Sequence, residues 1–151
     1  MISMRMDIKR TFFDRKAVSS AVDRTTRRVL SRFGAYVRRG AKSSIRKRKK
    51  ISEPGRPPSS HTGLLKKFIF FAYDRDRRSV VIGPVALNQK GGDAPEALEY
   101  GGRSRVTYRA LKRGNRKRRE RVIRVKARPY MRPAMDAELP KLPAMWRDSI
   151  R

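Results

Sequence analysis

Residues 14–45 read DRKAVSSAVDRTTRRVLSRFGAYVRRGAKSSI, and the spacing of their apolar side chains decides the fold. Val18, Val22, Val29, Phe33, Val37, Ala41 and Ile45 recur at helical intervals, with Arg24, Arg28, Arg32, Arg39 and Lys42 between them. One face of such a helix is apolar and the other cationic. Asp14 stands where an N-cap is needed. The stretch therefore predicts one long amphipathic helix. Gly34 and Gly40 each weaken it by about 1 kcal/mol relative to Ala, which predicts a kink or a close neighbour and leaves continuity past Gly40 open.

Upstream, Ile2, Met4, Met6 and Ile8 alternate with Ser3, Arg5, Asp7 and Lys9, the period of a short strand with one buried face. Downstream, Ser52 to Gly63 carries three prolines and two glycines and reads as an extended loop. Leu64 to Asp74 and Ser79 to Val85 are rich in β-branched and aromatic residues around the polar turn 74–78, which predicts a hairpin. Asn88 to Asp93 is a glycine-containing loop. Ala94 to Tyr100 follows as a short helix with Pro95 in its first turn and Gly101-Gly102 as its stop. Val106, Tyr108 and Ala110 then face Val122, Ile123 and Val125 across a basic tip, making a second hairpin. Ala134 to Leu139 continues as helix, and Pro140 and Pro143 leave the tail irregular or a short kinked helix.

The expected class is α+β: one long N-terminal amphipathic helix on a mainly antiparallel sheet built of hairpins, with a short C-terminal helix. Residues 1–151 read as a single domain. Within it lie a basic, Pro-rich extended loop at 46–63, a basic hairpin tip at 111–121 and a tail at 140–151.

Against 41 Lys and Arg stand 13 Asp and Glu, a net charge of +28. Most cations therefore lack an acidic partner in their own chain, and the excess must meet nucleic acid, an anionic membrane or an acidic protein surface. The absence of cysteine removes disulfides and thiolate chemistry, and suits assembly in the cytosol. Charges at Arg5, Asp7, Lys9 and Arg10 interrupt the stretch from Met1 to Phe13, which predicts no export signal. Phe68 to Tyr73, the longest apolar run, is far short of the roughly 20 residues of a membrane span.

Catalytic signatures are missing. His61 is the only histidine, it lies in the Pro-rich loop, and no Gly-x-Ser-x-Gly elbow accompanies it. Asp74 and Asp76 could in principle share a magnesium ion, but the arginines beside them favour solvated turn charges. Glu96 and Glu99, at i and i+3, read by default as helix solubility or an ion pair. The expectation is no enzyme, no cofactor and no metal site.

Arg46-Lys47-Arg48-Lys49-Lys50 and Arg116-Lys117-Arg118-Arg119 are unbroken cation runs. Burying such a run would require a partner for every charge, so both are expected to be exposed and to contact DNA or another anion. Phe68, Phe70, Phe71 and Tyr73 read mostly as core, and Trp146 as either an interface anchor or the closing edge of the core.

Five blocks occur in a telling order: Val37 to Ile45, Thr62-Gly63-Leu64-Leu65-Lys66, Val80-Val81-Ile82-Gly83-Pro84, Glu99-Tyr100-Gly101-Gly102 and Ala127-Arg128-Pro129-Tyr130-Met131-Arg132-Pro133-Ala134. Together they resemble the tail-completion, or head-tail joining, family of long-tailed bacteriophages and prophages. The last block is the most specific. The extreme basicity and the Pro-rich loop depart from the family's pattern.

The resemblance implies a structural virion protein of the neck, assembled in the host cytoplasm as a homo-oligomeric ring between connector and tail tube, a hexamer by analogy with the tail. Connector and tail proteins, and the DNA passing through the neck, would be its partners, with no membrane and no small-molecule substrate. Pro54, Pro57, Pro58, His61, Tyr130 and Arg132 are the expected subunit contacts. The alternative from composition is a stand-alone nucleic-acid binder of ribosomal-protein or chromatin type.

Overall fold

The computed structural model describes residues 14–85, 94–112 and 115–149, with the course of the backbone alone at 106–112 and 115–119. The strand expected at Ile2 to Lys9 and the loop at Asn88 to Asp93 lie outside the described residues.

Helix α1 runs unbroken from Arg15 to Ser44, about 45 Å at 1.5 Å per residue. Asp14 caps it, its Oδ1 accepting from the Ala17 amide at 3.0 Å. Gly34 marks a close approach. A Cβ at Gly34 would stand 2.8 Å from Val80 Cγ2 and 2.9 Å from Phe71 Cδ2, while one at Gly40 would stand 3.4 Å from Ala134 Cβ. The missing Cβ at Gly34 admits a hairpin against the helix, whereas at Gly40 a Cβ would make ordinary contact with Ala134.

That hairpin is β1 (Ile69–Asp74) paired antiparallel with β2 (Ser79–Pro84), with Ala72 opposite Val81. Leu64–Lys67, expected to belong to the strand, forms instead a helical turn, α2. Gly63 enters it at φ 78°, and its carbonyl accepts from the Lys67 amide at 2.9 Å. The Asp74 carboxylate closes the hairpin turn by accepting from the Asp76 and Arg77 amides at 3.0 and 3.1 Å. Its local chemistry is thus that of a turn cap.

Helix α3 (Ala94–Tyr100) leads into β3 (Gly102–Lys112), which pairs antiparallel along its whole length with β4 (Asn115–Val125). Among the described residues the two hairpins pair only internally, giving two two-stranded sheets rather than one. Arg116 to Arg119, expected in the tip, belong to the paired length of β4, since the register reaches Lys112 opposite Asn115. Helix α4 (Met131–Glu138), a 3-10 turn (Leu139–Lys141) and α5 (Leu142–Arg147) finish the described chain as a kinked helix.

The class is α+β, and the core lies where α1 meets α2, β1 and α4. Phe33, Val37, Ala41 and Ile45 from α1 are buried with Leu65, Ile69, Tyr130 and Ala134. Each large side chain here contributes roughly 1.5–3 kcal/mol by leaving water. Val18 and Val22 continue the same stripe in sequence yet stay exposed, because the described hairpin and α4 pack farther along the helix.

Candidate functional site

Two of the motif blocks meet through one carboxylate. Glu99 is buried, and its Oε2 accepts from the Tyr130 and Met131 amides at 2.9 and 3.0 Å while Oε1 accepts from Arg132 at 2.8 Å. These amides open α4, where no preceding turn can satisfy them, and an anion there also suits the helix dipole. Glu99 is therefore a long-range cap rather than the solubilising or ion-paired residue that its spacing from Glu96 suggests. A further tie runs from the Arg128 amide to the Leu98 carbonyl.

Tyr130, expected at a subunit contact, is 1% exposed and belongs to the core of its own chain. Its hydroxyl finds no hydrogen-bond partner among the described residues. Burial, with the neighbouring Glu99 charge adding to it, pushes the phenol well above the ordinary tyrosine range. Arg132 does face solvent, pairing loosely with Asp136 at 4.0 Å.

With so few acids, cations near the body use other acceptors. Arg38 donates Nε to the Ile69 carbonyl at 2.8 Å, and Arg128 donates Nε to the Ser52 carbonyl at 3.0 Å. Arg32 and Arg39 lie over the Tyr36 ring at 5.8 and 5.7 Å, and Arg38 and Lys42 each lie 5.8 Å from the Phe70 ring centre. Ring faces carry the negative lobe of a quadrupole and so stand in for carboxylates. The Arg32 guanidinium, hydrogen-bonded to the Tyr36 hydroxyl, is held in its charged form more firmly still. Lys42 is shifted the opposite way by desolvation, then by Arg38 and Lys66.

Beyond α1 the pattern changes. Arg46, Lys47, Arg48, Lys49 and Lys50 are all exposed, and among the described ion pairs none involves them. The Pro-rich segment that follows lies back on its own chain. Ser60 N donates to the Arg46 carbonyl at 3.0 Å, and Gly55 N donates to the Ala127 carbonyl at 2.9 Å. Pro58, expected at a subunit contact, is among the fully buried residues of its own chain. Pro54 and His61 are exposed and Pro57 half-exposed, which keeps the loop's outer side open.

The β3–β4 hairpin spans about 35 Å at 3.3 Å per residue. It meets the body mainly through α3 and a turn at Gly101, where φ is 78°. Register sets Arg103 opposite Arg124, both exposed, a like-charge pair that weakens the ladder. The same register sets Arg109 opposite Arg118. An isolated two-stranded hairpin is marginal in water.

The β1–β2 hairpin has the reverse character. Its inner face, with Ile69 and Val80, packs on α1, but Phe70, Ala72, Val81 and Val85 on the outer face are exposed, Val81 to 63%. A chain with 36% charged residues thus exposes apolar side chains on a sheet face whose two strands, among the described residues, pair only with each other.

Among the described residues no group of three or more His, Cys, Asp or Glu could hold a metal ion, and no helix is long and apolar enough to cross a membrane. Compared with protein-family models, curated proteins and solved structures, the chain matches none.

Proposed function

We propose that the chain is a structural protein of a tailed-phage neck, joining head to tail as a ring of identical subunits between the connector and the tail tube. The observation that carries this reading is the outer face of the β1–β2 hairpin, where Phe70 and Val81 are exposed and, among the described residues, the two strands pair only with each other. A second copy of the chain can cover that face and extend the ladder, and closed symmetry would leave no edge unpaired. Support for the family comes from the resemblance, whose Glu-Tyr-Gly and Arg-Pro-Tyr-Met-Arg-Pro blocks form one unit through the Glu99 cap.

Copies carrying +28 each repel one another. A ring threaded by DNA, or stacked between acidic rings, supplies the counter-charge. Subunit association is therefore expected to depend on a polyanion or an acidic neck partner.

The exposed cations at Arg46 to Lys50 favour one rival, a stand-alone nucleic-acid binder. Light scattering and DNA titration at several salt concentrations separate the two. Rings that form with connector or tail, and weak DNA affinity for the free chain, support the neck role. A chain that stays monomeric with every partner while binding DNA with a steep salt slope overturns it.

A further inference from the structure

A second feature of the basic loop is more specific than its charge. Where α1 ends, Arg46, Arg48 and Arg56 line a pocket of about 350 Å³, with Pro57 and Pro58 as its wall. We infer that this pocket binds a phosphate group through the three guanidinium side chains.

The pocket is built, not merely charged. The Arg46 backbone bridges to Ser59, and its carbonyl accepts from the Ser60 amide at 3.0 Å. Arg48 donates Nε to Ser59 Oγ at 2.9 Å, which fixes the guanidinium plane and leaves its terminal N–H groups free. Arg56 is held by its own amide, which donates to the Glu53 carbonyl at 3.3 Å, and pairs at 3.3 Å with the exposed Glu53 carboxylate. That exposed pair is weak and leaves most of the Arg56 fork unused. The Arg48 guanidinium and the backbone on both sides of the pocket are thus held before any ligand arrives, which lowers the ordering cost of binding.

Several features of the site oppose an anion, and their sizes decide the matter. Ser43 and Ser44 also line the pocket, but their hydroxyls donate to the Gly40 and Ala41 carbonyls at 2.8 and 2.9 Å. The donors must then come from arginine. The C-terminus of α1 adds a partial negative charge of roughly half a unit and Glu53 offsets part of the Arg56 charge, which the guanidinium groups of Arg46 and Arg48 alone outweigh. Planar guanidinium forks match phosphate oxygens bidentately.

A larger groove between α1 and the β1–β2 turn also carries arginines, yet Asp23 and Asp76 line it and Arg78 already pairs with Asp23 at 3.2 Å. The loop pocket has no acid among its lining residues.

This inference rests on the anion-contact part of the proposed function alone, and ring assembly is a separate readout. The test titrates inorganic phosphate into the full chain at constant ionic strength, with chloride replaced. Arg Nε–Hε resonances and the melting temperature are followed. The Arg46→Gln/Arg48→Gln variant is compared with Arg103→Gln/Arg124→Gln, which removes equal charge elsewhere. Phosphate should shift the Arg48 resonance saturably and bind about tenfold more weakly in the pocket variant only. Equal weakening in both variants, or a wild-type response no greater than to chloride, overturns the pocket. A short single-stranded oligodeoxynucleotide identifies the source. Weakened binding in the pocket variant assigns the phosphate to a nucleic-acid backbone, and unchanged binding assigns it to the free ion.

Discussion

The Glu99 unit and the β3–β4 hairpin are joined directly in sequence through Tyr100 and Gly101, but different forces hold them. Around Glu99, three amides converge on one buried carboxylate beside the packed Tyr130 ring. Along the hairpin, backbone pairing continues for eleven residues per strand while register opposes arginine to arginine. The first region specifies itself by burial and satisfied polar groups. The second has its ladder, but that ladder sets like charges against each other, so its stability depends on what neutralises them.

The sharpest way to break this contrast is Glu99→Ala. Three N–H groups lose a charged acceptor, and hydrogen bonds to charged groups contribute about 1.5–3 kcal/mol each, though not additively. A loss of about 3–5 kcal/mol is expected by denaturant unfolding, with α4 losing hydrogen-exchange protection first. A loss under about 1 kcal/mol would reduce the unit to an ordinary exposed cap.

Gly34→Ala tests the packing side of the same body. Helix propensity gains about 1 kcal/mol, but the new methyl would meet Val80 and Phe71 closer than real Cβ atoms tolerate. Overpacking of this kind costs about 1–3 kcal/mol. The expected outcome is a net loss of about 1 kcal/mol by chemical denaturation, with the β1–β2 hairpin displaced from α1.

These two residues also mark how far the sequence could be read. Asp14 and the 3.6-residue stripe are local signals, and the helix they predict is present through both glycines. Gly34 and Gly40 were legible as possible close approaches, though not which elements approach them. Glu99 was not legible as a cap, because its partners lie 31 to 33 residues away and its spacing from Glu96 mimics a solvent-facing pair. Pro58 and Tyr130 misled for a related reason. Both are buried by contacts that only the folded chain creates.

Tyr130→Phe sharpens the comparison from the opposite direction, since removing a buried hydroxyl without a described partner should stabilise the body by about 1 kcal/mol. It also carries a pH signature. The folded-state phenol is raised above the ordinary value of about 10, so its contribution is fully present below that pH. It is lost as pH rises, because the unfolded tyrosine ionises while the buried one resists. The wild type should lose stability above about pH 10 more steeply than the phenylalanine variant, as read from unfolding midpoints across alkaline buffers.

The smallest global effect is expected in the arm. Replacing Arg103 and Arg124 together by threonine exchanges an opposed like-charge pair for a favourable cross-strand one. Both positions are exposed, so body stability should stay within about 0.5 kcal/mol. The arm should nevertheless gain amide protection, and that gain should fade as salt or a polyanion screens the wild type. Equal protection in both proteins at low salt would mean that cross-strand repulsion does not limit the ladder. A gain that vanishes when DNA is added would identify counter-charge as the ingredient the free arm lacks.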